Sequence, residues 1–513
     1  MKPASQRLSF TLAAALAFSA PAALARPAAP VANSANEAAT ARHLAGLLAV
    51  DAKLSELTMF FTQMPKGGDL HHHYSGSIYA EQYVEWVDKQ GFCVNKQTYR
   101  IETGKAVIDA QRALPAAERT CLSSAEVLAD DHTYRELLQR WSSKDFDNHG
   151  AIQPPPDRQF FQTFGYFGPV SNANFNEGLL ALKQRAVKEN VGYIETMFKL
   201  APMLPNPDFD AQMWQAGADG AALSAAMQAW MAVLDKDPGF ARSQADYVDK
   251  IKTGHLGVDD QEFTMRYQAY VLRLLNPSLV FSSMLSAFKA ASQSELIVGV
   301  NIVGQESLAP SMRDYSLHMK MFQFLKKQYP QVKLSLHAGE LALGDVPPEG
   351  LSFHIDEALN VAGAQRIGHG IDLAHEKNAV AIMKKMRDSD IPVEINLTSN
   401  AFISGIKADN HPVTLYRKYG VPYVISTDDA GVTRHNLSQE YVLFASRYKP
   451  GYAEIKQASY NSLRYAFVAE SDKARLKRQL DQRYATFEAA IAALAPAQSA
   501  KPARPAKPAK AAR

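Results

Sequence analysis

Cysteine is scarce in this chain: only Cys93 and Cys121 occur in 513 residues. Two cysteines this far apart exclude a zinc site of the CxxC type. The chain also lacks a large excess of charge, because its formal net charge is +3 and five of its basic residues lie in the last 13 positions. Without a basic face on the folded part, we expect no nucleic acid partner.

Long apolar runs are absent after residue 25, although a membrane span needs about 20 apolar residues. Before that point, Lys2 and Arg7 precede an apolar run over residues 8–18, and Ala23-Leu24-Ala25 has the small-x-small form that signal peptidases accept. Residues 1–25 therefore predict a signal peptide. We expect the mature protein to be periplasmic or secreted, without membrane attachment once the signal is cleaved.

Hydrophobic residues make up 47% of the chain, which is enough for a large core in one big α/β unit or in two domains. Residues 26–64 are predicted to be a flexible and then helical N-terminal extension. The main domain is predicted over 65–495, and the Lys/Pro/Ala-rich stretch over 496–513 is expected to be a disordered basic tail.

Short apolar runs recur along the main domain, each followed by a longer stretch of helix-like composition. There are eight of them, over 69–74, 191–198, 266–274, 296–304, 332–340, 366–371, 393–399 and 423–429. Eight buried strands that alternate with helices favour an α/β fold of the (β/α)8 TIM barrel type, with a doubly wound sheet as the alternative.

The gap between the first two runs exceeds a hundred residues, which is far longer than a barrel connection requires. Residues from about 91 to 155 therefore predict an inserted subdomain after the first strand. Both cysteines lie in it, and in an oxidising compartment we expect a Cys93–Cys121 disulfide, with two buried free thiols as the alternative.

Ionisable residues cluster where the predicted strands end, which is where barrel active sites are built. Side chains on a strand alternate between faces, so His71 and His73 point one way and His72 the other. The pair His71 and His73 could therefore present two imidazoles to one metal ion. The ends of later runs add the residues His337, Glu340, His369, Asp428 and Asp429.

The motifs MPKGGDLHHH, SLHAGE, RIGHG and STDD occur in this order and resemble the motif set of the adenosine deaminases within the amidohydrolase superfamily. The opening motif, the signal and the cysteine-bearing insertion are most similar to the secreted, growth factor-related branch and its bacterial relatives. In that branch, an insertion after the first strand carries a disulfide.

The resemblance implies one zinc ion per chain. Its ligands would be His71, His73, His337 and Asp428. Glu340 would be the proton shuttle at purine N1, and His369 would orient the attacking water and help to deprotonate it. A binuclear site is disfavoured, because the run LIVGVNIVG lacks the lysine that bridges two metals in related enzymes.

The same resemblance implies a small purine nucleoside as the substrate, with Asp429 at purine N7 and the Gly304 backbone at N3. The implied reaction is deamination of adenosine or 2′-deoxyadenosine to the inosine product and ammonia. Phe160 and Phe164 in the segment FFQTFGYFGP are candidate lid residues, with ordinary core packing as the alternative.

Ser75 departs from the family pattern, which has an aspartate there for the ribose 5′ hydroxyl. A serine can still bind a hydroxyl, but it lacks the charge that would repel a 5′ phosphate. A 5′-modified adenosine or AMP is therefore the alternative substrate. A further alternative belongs to another functional class: a non-catalytic extracellular binding or signalling protein with the same fold. The sequence leaves the oligomeric state open, including a homodimer.

Overall fold

The computed structural model describes residues 35–49, 51–147 and 153–494. The predicted signal peptide, the start of the N-terminal extension and the predicted basic tail lie outside these residues. Among the described residues, no helix combines the length and the apolar character that a membrane span requires.

Eleven strands are present in the described residues: β1 (Gly67–His73), β2 (Cys93–Asn95), β3 (Ile101–Glu102), β4 (Cys121–Leu122), β5 (Val191–Leu200), β6 (Thr264–Leu272), β7 (Ile297–Val303), β8 (Ser335–Ala338), β9 (Arg366–His369), β10 (Val393–Ile395) and β11 (Tyr423–Ile425). Eight of them coincide with the eight predicted apolar runs, and β2, β3 and β4 lie in the insertion.

The eight strands form two parallel halves, β1-β5-β6-β7 and β8-β9-β10-β11. A bridge between Val300 and Leu334 joins β7 to the segment that enters β8. A second bridge, between His72 and Asp428, joins β1 to the segment that leaves β11. The two bridges close the ring, so the predicted (β/α)8 barrel is confirmed.

Helices precede the barrel, lie in the long first connection and link the later strands. The first nine are α1 (Ala35–Leu47), α2 (Leu54–Gln63), α3 (Tyr74–Ser77), α4 (Ala80–Lys89), α5 (Lys105–Arg112), α6 (Ser124–Ala129), α7 (Asp131–Trp141), α8 (Pro156–Ser171) and α9 (Phe175–Lys188). The remainder are α10 (Pro207–Ala216), α11 (Gly220–Leu234), α12 (Pro238–Gly254), α13 (Pro277–Gln293), α14 (Ala309–Gln328), α15 (His354–Glu357), α16 (Ala379–Asp388), α17 (Leu397–Ile403), α18 (Val413–Tyr419), α19 (Ala430–Thr433), α20 (Leu437–Tyr448), α21 (Tyr452–Arg464) and α22 (Glu470–Leu494).

Local sequence explains several helix starts. Helices α10, α12 and α13 each begin with proline, whose fixed φ suits the first helical position and whose missing N–H costs nothing there. Asn206 and Asp237 precede the first two and accept hydrogen bonds from backbone N–H groups of the first turn. The long helical connections of the barrel therefore start at defined residues.

Two predicted runs are longer than the strands that they contain. In the run over 393–399, β10 ends at Ile395 and α17 begins at Leu397, because the carboxylate of Glu440 accepts the N–H groups of Leu397 and Thr398 at 2.8 and 3.2 Å. In the run over 423–429, β11 ends at Ile425 before the backbone turns left-handed at Asp428.

The insertion contains a small antiparallel sheet in the order β3-β2-β4. Cys93 in β2 and Cys121 in β4 form the expected disulfide, with their Cα atoms 5.4 Å apart. Arg100 anchors this sheet to α8 by donating from Nη1 to the carbonyl of Gly165 at 3.1 Å. The insertion therefore rests directly on the helix that follows it.

Candidate active site

Four side chains converge at the carboxyl end of the barrel. His71 and His73 lie on β1, His337 lies on β8, and Asp428 follows β11. One nitrogen or oxygen atom from each lies within 4.8 Å of the others. The structure thus brings together all four residues for which the sequence predicted metal binding.

The donor atoms of this group have spacings that suit a tetrahedral metal site. His73 Nε2 lies 3.2 Å from His337 Nε2 and 3.1 Å from Asp428 Oδ1, and His71 Nε2 lies 3.5 Å from the same oxygen. Ligand atoms at zinc bonding distance in a tetrahedron are roughly 3.4 Å apart. His71 Nε2 is buried without a hydrogen-bond partner, as expected for an atom that meets a metal. The residues present therefore fit a zinc ion.

A left-handed backbone conformation orients two of the site residues. His369 and Asp428 both have positive φ angles, 66° and 63°, although neither is glycine. Non-glycine residues rarely adopt this left-handed conformation, which costs free energy and is concentrated at functional sites. Gly368 packs against the imidazole of His71 and the backbone of His337, since a Cβ there would lie 2.8 Å from His71 Cε1 and 3.4 Å from His337 Cα.

The histidines of the metal group are oriented by partners that the sequence did not single out. His71 Nδ1 meets Glu394 Oε2 at 2.6 Å, and His337 Nδ1 meets Asn301 Oδ1 at 2.8 Å. Metal-binding histidines commonly donate their second ring N–H in this way. His72, which strand alternation placed on the other face, instead contacts Thr196 Oγ1 through Nδ1 at 2.9 Å.

A chain of hydrogen bonds fixes the proton position on His369. The backbone N–H of Val413 donates to His411 Nδ1 at 3.1 Å, so His411 donates from Nε2 to Asn400 Oδ1, also at 3.1 Å. Asn400 Nδ2 therefore faces His369 Nδ1 and donates to it at 2.8 Å. Burial lowers the pKa of His369 to about 3, so the ring is neutral and carries its proton on Nε2.

Glu340 lies beside His369, with 3.6 Å between Glu340 Oε1 and His369 Nδ1. Burial, and then the negative charges of Asp428 and Glu306, raise the pKa of Glu340 well above its usual value. Glu306 also accepts the backbone N–H groups of Gly339 and Glu340 at 3.1 Å each, which holds the turn that carries Glu340. The arrangement therefore favours a protonated carboxyl that can donate a proton.

A cavity of about 350 Å³ opens onto these groups, within the usual size range of small-molecule pockets. The three predicted substrate-binding residues, Asp429, Gly304 and Ser75, all line it. Asp429 is buried, its Oδ1 has no hydrogen-bond partner, and burial followed by the neighbouring charge of Asp428 raises its pKa.

Much of the remaining cavity lining is apolar. Phe160 and Phe164 of α8 line the cavity together with Phe161, and their rings pack edge to face with centroids 5.0 to 5.8 Å apart. The cavity therefore has a polar end with ionisable groups and an aromatic wall from the helix that contacts the insertion.

The fold and the site together define a (β/α)8 barrel that carries a histidine and aspartate group of the metal-binding type at its carboxyl end. Residues 240–483 match the family model described as adenosine deaminase. The matched range includes His337, Glu340, His369, Asp428 and Asp429. The first-strand histidines lie outside it and are brought to the site by the fold.

Curated relatives include the adenosine deaminase of Pectobacterium atrosepticum, 30% identical over 196 residues, or 38% of this chain and 53% of the relative. The N6-methyl-AMP deaminase of Bos taurus is 30% identical over 190 residues, or 37% of this chain and 50% of the relative. The chain thus spans about half the length of the curated relatives that it matches.

Solved structures show the same fold. The crystal structure of Arabidopsis ADAL complexed with GMP has a TM-score of 0.52 at 18% identity, over 83% of this chain and 98% of that chain. The apo structure of the N6-methyl-AMP deaminase from Arabidopsis thaliana has a TM-score of 0.51 at 19% identity, with the same coverage.

Proposed function

We propose that the protein is a zinc-dependent enzyme that deaminates adenosine or 2′-deoxyadenosine by hydrolysis to the inosine product and ammonia. The observation that carries this proposal is the convergence of the four metal-type donors with Glu340 and His369 at one cavity. A binding protein that had lost catalysis would have no chemical need for a buried carboxyl with a raised pKa next to a complete ligand set.

The proposed roles follow from the contacts. His71, His73, His337 and Asp428 would hold the zinc ion, which supplies a Lewis acid that lowers the pKa of water to about 7. Glu340 would donate its proton to purine N1 as negative charge develops on the ring during attack at C6. His369 would orient the attacking oxygen by donating a hydrogen bond from Nε2, which lies 3.9 Å from Asp428 Oδ2. Because Nδ1 accepts from Asn400 and Nε2 carries the proton, this neutral ring does not fit the predicted part in deprotonating the water.

The remaining roles concern substrate recognition. Asp429 would donate to purine N7 in its protonated form, because burial favours the neutral carboxyl. The backbone of Gly304 would meet N3 at the floor of the cavity. Ser75 would bind a ribose hydroxyl, and the rings of Phe160 and Phe164 would cover the base.

The cavity supports a nucleoside over a nucleotide. The described residues that line it include no lysine or arginine, and a bound phosphate normally meets such a cation. The second candidate is AMP or a 5′-modified or N6-methylated adenosine derivative. Ser75 in place of an aspartate favours it, as does the similarity to N6-methyl-AMP deaminases.

A panel of substrates separates the two candidates. Ammonia release would be measured with adenosine, 2′-deoxyadenosine, AMP and N6-methyl-AMP on protein whose metal content is determined in the same preparation. We expect about one zinc per chain and the highest kcat/KM for the nucleosides. A preference for AMP or N6-methyl-AMP would refute the nucleoside assignment, and absence of turnover by zinc-loaded protein would favour the binding-protein alternative.

The variant Glu340→Gln tests the proton donor. It should bind zinc as the wild type does and lose about 10²- to 10⁴-fold in kcat, because an amide cannot donate the required proton. Glu349→Gln, an exposed glutamate in the same connection, is the matched control and should keep full activity. Retained activity in Glu340→Gln would contradict the role.

We further propose that the protein is exported. The signal-like residues 1–25 support this proposal, as does the Cys93–Cys121 disulfide. Cell fractionation with mass spectrometry of the mature N-terminus would test it, and a cytosolic protein that keeps residue 1 would refute it.

A further inference from the structure

A polar layer crosses the barrel directly below the candidate metal site. The interior layers of such barrels are usually filled by bulky apolar side chains. Here five strands each contribute one fully buried polar residue, namely Glu195, Gln268, Asn301, Arg366 and Glu394, all 0% exposed. Buried charges of this kind bring little net stability, because their desolvation costs free energy. We therefore expect the layer to have a function other than stabilising the fold.

One side of the layer ends at His71. Glu394 accepts from Arg366 Nε at 2.6 Å, from Ser335 Oγ at 2.8 Å and from His71 Nδ1 at 2.6 Å. Arg366 donates only, which keeps the carboxylate ionised and accepting. The Nδ1 atom of His71 must therefore carry a proton, which leaves the lone pair of Nε2 directed at the metal site.

The other side of the layer ends at His337. Arg366 Nη2 donates to Glu195 at 2.5 Å, and Gln268 Nε2 donates to the same carboxylate oxygen at 3.1 Å. Because that carboxylate only accepts, the amide of Gln268 has one orientation. Its Oε1 therefore accepts from Asn301 Nδ2 at 2.9 Å, which leaves Asn301 Oδ1 to accept from His337 Nδ1 at 2.8 Å.

We propose that this layer is a positioning device that fixes the tautomer and the ring orientation of two metal ligands at once. Arg366 pairs both carboxylates and so links the His71 side to the His337 side. Gln268 is a positioning residue, separated from the metal site by Asn301 and His337. The inference rests on the proposed metal site, but it concerns metal binding and is independent of the substrate.

The variant Gln268→Met tests the device, because it removes the amide while keeping a side chain of similar length. Metal-free protein would be titrated with Zn²⁺ in competition with a fluorescent chelator, and the visible spectrum of the Co²⁺ form would be recorded. We expect the zinc Kd to rise by up to about 10-fold and the cobalt spectrum to change, because losing a partner bonded directly to a metal-binding histidine weakens affinity about 10- to 100-fold and Gln268 acts one residue further away.

Tyr267→Phe is the matched control. Tyr267 precedes Gln268 on β6 and is equally buried, but its hydroxyl contacts His255 Nδ1 at 2.7 Å, away from the layer. This variant should lose one hydrogen bond and keep the wild-type zinc Kd and cobalt spectrum. A role for Gln268 in stability alone would leave metal binding by the folded Gln268→Met protein unchanged.

The outcomes separate this inference from the proposed function. Wild-type protein that binds no zinc would refute the metal site itself. If the wild type binds zinc and Gln268→Met has the same zinc Kd and cobalt spectrum, only the positioning role is overturned. If Gln268→Met binds zinc more weakly but the wild type turns over no aminopurine, only the substrate assignment is refuted. If Gln268→Met does not fold, Asn301→Leu and Asn301→Asp replace it. The aspartate still accepts from His337, so equal zinc affinities in these two variants would overturn the inference.

Discussion

The disulfide of the insertion should stabilise it by an amount that follows from the length of the loop that the disulfide closes. Cys93 and Cys121 are 28 residues apart, and the loop-entropy relation gives about 3.6 kcal/mol for closing a loop of that size. The local core around the bridge is small, since its buried members are the two cysteines and Ile108, with Phe92 packed against them. Replacing both cysteines by alanine should therefore destabilise the region around the bridge by up to about 3.6 kcal/mol.

The effect should stay within the insertion and the helix beside it. The small cluster at the bridge is separate from the main core, a much larger cluster that contains the barrel strands and also takes in Val94, Tyr99 and Val127 of the insertion. Arg100 links the insertion to α8 through Gly165, and the phenylalanines of α8 line the cavity. We therefore expect KM to rise in the double variant, while kcat changes little because the ligands and Glu340 lie on barrel strands and their ends.

Hydrogen exchange measured by mass spectrometry is the suitable assay. Peptides from 91–129 should lose protection in the Cys93→Ala/Cys121→Ala protein, and peptides from β6 and β7 should keep it. Wild-type protein under a thiol reductant should reproduce the change. Unchanged protection in 91–129 would refute the argument from loop entropy. Equal loss in the barrel strands would refute the independence of the insertion.

Two further predictions concern the site. Gly368→Ala should weaken zinc affinity at least about tenfold and cost about 1–3 kcal/mol in stability, because its Cβ would lie 3.0 Å from His71 Nδ1. Gly451→Ala, with open space around its Cβ, is the control for zinc titration and thermal unfolding, and equal zinc affinity in the two variants would contradict the clash. In a pH profile, kcat/KM should be highest below the raised pKa of Glu340 and should fall as the pH rises through that pKa, since only the protonated carboxyl donates. A profile without an alkaline decline would argue against the role of Glu340 as proton donor.

The barrel was predictable because parallel strands covered on both faces have continuous apolar sequences. All eight runs contain a strand, and their order along the chain is the order around the ring. The strand ends were less predictable, because tertiary contacts set them. The run that contains β10 stops early since Glu440, more than 40 residues later in the chain, binds the first N–H groups of α17.

The sequence predicted which residues form the candidate site, but it said less about their geometry. Strand alternation separated His72 from its neighbours, and the motif order supplied the other positions. Nothing in the sequence indicated the left-handed backbone at His369 and Asp428, because such angles are imposed by the surrounding contacts. Glu306 was likewise missed, although it follows Gly304 at the end of a predicted strand, where functional side chains were expected.

The polar layer did leave a readable pattern in the sequence. Glu195, Gln268, Asn301 and Glu394 each lie inside a run that is otherwise largely apolar, and Arg366 begins another. A charged residue inside a strand covered on both faces must be paired there, so two acids and one arginine in such runs predict an ion-pair network in the barrel.

The charges of that network also have a consequence for the metal site. The two carboxylates and one guanidinium of the layer carry a net charge of −1, if Glu195 and Glu394 are ionised as their donors require. In the zinc-bound form that we propose, a dication held by Asp428 and three neutral imidazoles carries a net charge of +1. Because buried charge is costly unless it is compensated, the layer and the metal site stabilise each other across His71 and His337. In the proposed zinc-bound form, the polar layer would therefore offset part of the charge that the metal ion brings to this buried position.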